Sequence, residues 1–182
     1  MLGSMSTDQL TAGHVPPPRN PSGPYRICMV CLGNICRSPT AEVVLRDELR
    51  KAGLDSKVLV ESAGTGDWHI GQTMHSGART ELKRRGLDGS AHRARRIERS
   101  WLPDYDLFLA MDWHNLADLR RMAAGRPELD GRIQLMRSFD PASVPDAQVP
   151  DPYDGGQDDF AEVFDLVAAA SRELVSQLAE ML

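Results

Sequence analysis

The chain has 182 residues, of which 41% are hydrophobic and 26% charged, enough for one domain with a core of its own. A net charge of -5 argues against nonspecific binding to nucleic acid or to an anionic membrane surface. No apolar run reaches the roughly 18 residues of a membrane-spanning helix, and we identify no signal peptide at the N-terminus.

Residues 1–24 have the composition of a tail. Prolines recur among glycine, serine and asparagine, at Pro16, Pro17, Pro18, Pro21 and Pro24. This composition predicts a flexible, partly extended segment. The opening MLGS could be a cloning remnant, with Met5 as the natural start. We therefore expect residues 25–182 to form the domain.

From Tyr25 onward the pattern alternates between strand and helix. Residues 27–30 are a short apolar run, typical of a strand buried on both faces. Residues 39–52 follow as a helix with proline in its first turn and Gly53 after its end. The other predicted elements are strands at 58–60, 106–111 and 133–136, and helices at 74–85, 113–123 and from about 158 almost to the C-terminus. This order predicts an α/β fold with a parallel sheet.

The segment VCLGNICRS joins the first strand to the first helix and holds two of the three cysteines. An odd, clustered set of cysteines is unlike a disulfide framework, so we expect a reducing, cytoplasmic setting. Cys28 and Cys31 resemble half of a zinc site, but the other ligands are missing. A redox CxxC motif normally opens a helix, whereas Cys28 lies in the predicted strand and is best explained as a core residue.

Two further interpretations concern the loop itself. Gly33 and Asn34 suit a plain turn, because both tolerate left-handed backbone geometry. A plain turn does not explain Cys31 and Arg37 at its two ends in a CX5R pattern followed by Ser38. Inward-facing amides, a helix N-terminus and a guanidinium together make a phosphate cradle, and they also favour the thiolate form of a cysteine at its centre.

The stretch VCLGNICRSPTAE resembles the active-site loop of low-molecular-weight protein tyrosine phosphatases. SAGTGDWHIG, SAHRAR, AMDWHNL and VPDPYDGG resemble further segments of that family, in the same order, from about Tyr25 to the C-terminus. The resemblance implies a doubly wound, four-stranded parallel sheet with helices on both faces, the phosphotyrosine phosphatase I fold. It also implies hydrolysis of phosphotyrosine in protein substrates without a metal or cofactor.

The resemblance assigns chemical roles to individual residues. Cys31 is the expected nucleophile that forms a phosphocysteine, and Arg37 is expected to bind the phosphate. Asp151, stiffened by a proline on each side, is the expected general acid and base. Asp154, Asp158 and Asp159 are rivals for that role on chemistry alone. The phosphate-binding loop comprises Cys31, Leu32, Gly33, Asn34, Ile35, Cys36, Arg37 and Ser38.

Other residues of the resembling segments have supporting roles. Trp68 and Tyr153 are expected to form the aromatic walls of a deep substrate slot. Asn34, Ser38 and His92 are expected to form a structural hydrogen-bond network. Cys36 is expected to form a reversible disulfide with Cys31 on oxidation. Asp154 stands where many family members carry a second tyrosine, so phosphorylation cannot regulate that position.

Four rival functions remain to be weighed. Thioredoxin-linked arsenate reductases need downstream cysteines, and none follows Cys36. Protein-arginine phosphatases carry threonine at the position of Ile35. The isoleucine in this sequence therefore favours phosphotyrosine over phosphoarginine as the substrate. A non-enzymatic anion-binding module would have no use for both a nucleophile and an acid. A P-loop nucleotidase would need a G-x-x-x-x-G-K-[ST] motif, which this sequence lacks.

Overall fold

The computed structural model describes residues 12–182, and its strands form one parallel sheet in the order β2-β1-β3-β4. The strands are β1 (Tyr25–Cys31), β2 (Val58–Gly64), β3 (Leu107–Ala110) and β4 (Ile133–Leu135). The helices are α1 (Arg37–Lys51), α2 (Ser76–Arg84), α3 (Trp113–Met122) and α4 (Gln157–Met181), with short 3-10 helices at Arg99–Asp104, Pro127–Leu129 and Met136–Phe139.

Successive side chains of β1 point to opposite faces of the sheet, as the pleat requires. Met29 and Cys31 belong to the hydrophobic cluster that contains the buried faces of α1 and α4. Cys28 and Val30 belong to a second cluster, on the face covered by α3. Helices therefore cover both faces of a four-stranded parallel sheet, which confirms the predicted fold class.

The strand order places a topological switch point between β1 and β3. The chain leaves β1 for β2 on one side and then crosses to β3 on the other side of β1. In doubly wound sheets the crevice at the carboxyl ends of two such strands is where ligands bind. Cys31 ends β1 and Asp112 follows β3 closely, so both residues lie at this crevice.

The predicted elements are all present, with two informative differences at their ends. Helix α1 begins at Arg37, two residues before the predicted start at Pro39, so Arg37 belongs to its first turn. Strand β2 continues to Gly64 instead of ending at Val60, because it stays in register with β1 as far as the pair Cys31 and Gly64.

The N-terminal segment, residues 13–19, differs from the flexible tail expected there. Val15 is only 5% exposed and belongs to the main hydrophobic cluster. Gln177 of α4 accepts a hydrogen bond from the Val15 amide at 2.9 Å and donates one to the Gly13 carbonyl at 3.1 Å. The Tyr25 hydroxyl donates to the Pro16 carbonyl at 2.9 Å. The segment is therefore packed on the domain.

The segment packs on the domain because side chains of the domain form hydrogen bonds with its backbone groups. Arg132 donates to the Pro17 carbonyl at 2.9 Å, and Gln134 of β4 exchanges hydrogen bonds with the backbone of His14. Prolines also lower the entropy that is lost when such a segment becomes ordered. The expected cloning remnant and Met5 lie outside the described residues. No helix within residues 12–182 is long and apolar enough to cross a membrane.

Candidate active site

Cys31 lies at the floor of a surface cavity, at the point where β1 ends, and is 2% exposed. Its Sγ is 2.9 Å from the Ser38 Oγ in the first turn of α1. The Asn34 backbone amide also points at the sulfur, at 3.3 Å. The loop therefore turns a backbone amide and a hydroxyl inward onto one thiol, as an anion-binding loop requires.

Asn34 holds this loop in shape. Its backbone is left-handed, with φ of 56°, a conformation that asparagine tolerates better than most residues. Its fully buried side chain donates from Nδ2 to the Ser38 Oγ at 2.8 Å and to the Ser62 Oγ at 3.0 Å. Its Oδ1 accepts from the Arg95 backbone amide at 2.9 Å. One side chain thus connects the loop to β2 and to the segment that precedes Arg99–Asp104.

These contacts determine the direction of each hydrogen bond in the network. A backbone amide can only donate, so the bond from Arg95 fixes the Asn34 carboxamide with Nδ2 towards the two hydroxyls. The Ser38 Oγ accepts from Nδ2 and can direct its own proton to the Cys31 sulfur. The Ser62 hydroxyl accepts in the same way and donates to Glu42 of α1. The arrangement points a hydroxyl donor at the Cys31 sulfur.

His92 braces the loop from outside. Its Nε2 lies 2.6 Å from the Asn34 carbonyl oxygen, which can only accept, so Nε2 carries the proton. Burial lowers the pKa of His92, although the Asn34 carbonyl and Glu42 oppose that shift. The neutral ring with its proton on Nε2 is therefore the form that suits this position.

Arg37 is buried beneath the cavity and is held by three partners. Its Nη1 donates to the Asp112 Oδ2 at 2.7 Å and to the Val149 carbonyl at 3.2 Å, and its Nη2 lies 3.5 Å from the Asp151 Oδ2. Burial alone would lower the pKa of Arg37, but the negative charges of Cys31 and Asp112 outweigh it and raise that pKa. The guanidinium is therefore a permanent cation with a fixed orientation.

A cavity of about 670 Å³, here called the slot, opens above these groups. Trp68 and Tyr153, 66% and 47% exposed, contribute to its walls. Leu32 and Ile35 of the loop also line it. The His75 ring supports Tyr153 with centroids 5.5 Å apart in an edge-on arrangement. The slot thus combines aromatic walls with the Cys31 thiol and the Arg37 guanidinium in its lining.

Asp151 lies in the Asp151 loop (residues 146–154) and lines the slot together with Cys31 and Arg37. Its side chain is 51% exposed and accepts a hydrogen bond from the Tyr153 amide at 3.2 Å. Asp154 and Asp159 line the slot as well, but Asp159 accepts the Gly156 amide at the start of α4. Asp158 lies in the first turn of α4, where a carboxylate is stabilised by the helix dipole.

The other two cysteines differ from Cys31 in their surroundings. Burial, with the nearby charges of Cys31 and Asp151, raises the pKa of Cys36 to about 12, so this residue is held as a thiol. Burial likewise raises the pKa of Cys28, which lies in the core below the sheet and does not line the slot. All three cysteines are free in the structure.

Sequence reasoning missed several residues that the fold brings to the site. Asp112 accepts a hydrogen bond from Arg37. The hydrogen-bond network around Asn34 also includes Ser62, Glu42 and Arg95. A signal for Asp112 was available, because it follows β3 at the carboxyl edge of the sheet. The other three are separated from the loop along the chain and carry no motif of their own.

Within residues 12–182 no group of three or more histidine, cysteine or acidic side chains is placed to hold a metal ion. A family model described as low molecular weight phosphotyrosine protein phosphatase matches residues 26–182. The chain belongs to this family. Its members are protein-tyrosine phosphatases, which are hydrolases, so the expected family and enzyme class are confirmed.

Relatives of this family member agree in sequence and in fold. A low molecular weight protein-tyrosine-phosphatase of Streptomyces coelicolor is 43% identical over 157 residues, covering 86% of this chain and 94% of the relative. The phosphatase YfkJ of Bacillus subtilis is 39% identical over 153 residues, covering 84% and 94%. A crystal structure of a protein tyrosine phosphatase from Entamoeba histolytica matches with a TM-score of 0.80 at 33% identity, covering 86% of this chain and 97% of that one.

Proposed function

We propose that this phosphatase hydrolyses phosphotyrosine in proteins through a phosphocysteine intermediate on Cys31. The observation that carries the proposal is the convergence of Cys31, Arg37 and Asp151 in one aromatic-walled slot. A nucleophile, a fixed cation and an acid facing the same space are what phosphoryl transfer to a thiol requires.

In the first step the Cys31 thiolate attacks phosphorus, and a P–S bond forms as the P–O bond to the tyrosine breaks. Arg37 binds the equatorial phosphoryl oxygens, on which charge is concentrated in the transition state. The phosphoryl group takes the place of Asp151 at the Arg37 Nη2, which is 3.5 Å away without substrate. The Asp151 carboxyl then gives its proton to the leaving phenolate oxygen.

In the second step Asp151, now a carboxylate, accepts a proton from a water molecule that attacks the phosphocysteine. The P–S bond breaks, and inorganic phosphate leaves. The Ser38 hydroxyl, 2.9 Å from the sulfur, stabilises the thiolate that departs. Asn34 keeps that hydroxyl pointed at the sulfur, because its Nδ2 occupies the acceptor side of Oγ at 2.8 Å.

The walls of the slot support selection of phosphotyrosine. Cys31 lies at the floor, so a long aromatic side chain reaches the sulfur, whereas phosphoserine is too short. Ile35 in the loop favours phosphotyrosine over phosphoarginine. Asp154 adds a negative charge at the mouth that influences which flanking residues are accepted. The three free cysteines support a reducing, cytoplasmic setting.

Cys36 protects the nucleophile in this proposal. A peroxide oxidises Cys31 to a sulfenic acid, which condenses with the Cys36 thiol, releases water and forms a disulfide that thiols can reduce. In a Cys36→Ser variant, a second peroxide molecule oxidises the unprotected sulfenic acid to a sulfinic acid, which dithiothreitol does not reduce, so dithiothreitol should restore less activity than in the wild type. Recovery equal to that of the wild type would refute this role.

The experiment that tests the function compares the wild type with Cys31→Ser on phosphotyrosine, phosphoserine, phosphoarginine and arsenate. We expect turnover of phosphotyrosine that persists in EDTA and vanishes in Cys31→Ser. Mass spectrometry of acid-quenched wild-type enzyme should find a phosphate on Cys31. Activity retained by Cys31→Ser, or a preference for phosphoarginine or arsenate, would refute the proposal.

A further inference from the structure

The first part of the Asp151 loop, residues 146–149, is here called the stem. Hydrogen bonds connect the stem to the residues around the start of α3. The Gln148 Oε1 accepts the Trp113 backbone amide at 2.8 Å. The Trp113 indole Nε1 donates to the Asp146 carbonyl at 3.2 Å. The Val149 amide donates to the Met111 carbonyl at 2.8 Å. Three hydrogen bonds thus tie the stem to the end of β3 and the start of α3.

The bond from Gln148 serves a group that the helix leaves free. Amides in the first turn of a helix have no partner within it. Asp112, the N-cap of α3, satisfies the Asn115 amide, and Gln148 satisfies that of Trp113 from outside the helix. The Gln148 backbone carbonyl is held in turn by Arg137, at 2.9 Å. Gln148 is therefore fixed by both its side chain and its backbone.

The same end of α3 also orients the phosphate-binding arginine. Asp112 holds the Arg37 Nη1 at 2.7 Å, and that nitrogen reaches the Val149 carbonyl at 3.2 Å. Asp151 lies two residues beyond Val149 and is half exposed. Within residues 12–182 its carboxyl group has two polar partners, the Tyr153 amide and Arg37. The position of its carboxyl group therefore depends on the stem.

We propose that Gln148 is a positioning residue for Asp151, acting through its side-chain bond to the N-terminus of α3. This inference rests on the proposed role of Asp151 as the general acid. Without the bond, the stem can move relative to the phosphoryl group bound by Arg37, and the proton donor is less well aligned. Misalignment matters most when the leaving oxygen is strongly basic, because such a group needs the proton during bond cleavage.

The test compares Gln148→Leu, which removes the acceptor, with Gln148→Glu, which keeps an acceptor at a helix N-terminus that favours negative charge. The measurement is kcat/KM for aryl phosphates whose leaving phenols range from 4-nitrophenol to unsubstituted phenol. For Gln148→Leu we expect little change with 4-nitrophenyl phosphate. With phenyl phosphate we expect a fall of about threefold to tenfold, the equivalent of one hydrogen bond. Gln148→Glu should recover most of that loss.

Gln134→Leu is the matched control, because the Gln134 amide also pairs with backbone groups, at His14 and Gly131, and does not line the slot. It should lower the melting temperature without changing the dependence on the leaving group. Trp113→Phe, which loses the indole donor to the Asp146 carbonyl together with part of the ring, should act in the same direction as Gln148→Leu. All variants are assayed well below their melting temperatures, so that a loss of folded protein does not enter the result.

An equal fall for every leaving group in Gln148→Leu, or no fall at all, would overturn the inference. Asp151→Asn separates this outcome from failure of the proposed function. If Asp151→Asn steepens the dependence on the leaving group and Gln148→Leu does not, only the positioning role of Gln148 is wrong. If Asp151→Asn leaves the dependence unchanged, Asp151 is not the acid and both proposals fall.

Discussion

Replacing Asp112 by asparagine tests whether Arg37 binds phosphate well only when the Asp112 carboxylate holds its guanidinium in place. The change keeps the size of the side chain and an oxygen that can cap α3, where Asp112 now accepts the Asn115 amide at 2.8 Å. It removes the negative charge that faces the Arg37 guanidinium at 2.7 Å. Arg37 has a side chain only 4% exposed, so water cannot fully replace the lost partner.

The expected magnitude follows from the kind of bond that is changed. The single oxygen of an asparagine that still caps α3 leaves an NH2 group facing Arg37, so Asp112→Asn removes a hydrogen bond to a charged group, which contributes about 1.5–3 kcal/mol. If that loss appears in the transition state, kcat/KM falls about tenfold to 150-fold. Arg37 keeps the Val149 carbonyl and Asp151 as partners, so the loss should stay within this range.

The assay is kcat/KM with 4-nitrophenyl phosphate, together with the inhibition constant of inorganic phosphate, which should rise in Asp112→Asn. Asp118→Asn is the matched control, because Asp118 forms an ion pair with Arg121 at 2.8 Å on the exposed side of the same helix. The control should match the wild type in both measurements. Tighter phosphate binding in Asp112→Asn would refute the reasoning, since Asp112 would then compete with phosphate for Arg37 instead of orienting it.

Three further predictions concern the loop and its supports. Asn34→Gly and Asn34→Ala should lose similar amounts of kcat/KM, but Asn34→Ala should lose about 1 kcal/mol more stability in urea unfolding, because φ is 56° at this position; equal stabilities would contradict this. Because the pKa of His92 is lowered in the folded state, its neutral form stabilises the protein above about pH 6.5, and that contribution is lost as the pH falls towards the folded pKa. The melting temperature of His92→Gln should accordingly fall less on acidification than that of the wild type, and parallel curves would exclude this role. Tyr25→Phe loses the bond to the Pro16 carbonyl and should cost about 1 kcal/mol of stability with kcat unchanged; an unchanged melting temperature would argue against the packed N-terminal segment.

Local sequence was sufficient for the parts of the site whose residues are neighbours along the chain. Cys31, Asn34, Arg37 and Ser38 lie within eight positions, so a strand, a tight turn and a helix start are enough to bring them together. The alternation of strands and helices predicted the parallel sheet for the same reason, because hydrophobic periodicity is a local property. Asp151 was identified through its resemblance to a family segment and not through local geometry.

Only the tertiary structure decided which distant groups support that loop. Asp112 and Ser62 reach the loop because the carboxyl ends of parallel strands lie at one edge of the sheet, and no spacing along the chain encodes that distance. The N-terminal segment is a second case in which long-range contacts were not predictable from local sequence. Its composition predicts weak structure on its own, but the order it has comes from Gln177 and Gln134, more than a hundred residues away. Sequence thus identified the proposed reacting groups and their local backbone structure, whereas folding determined which residues contact them.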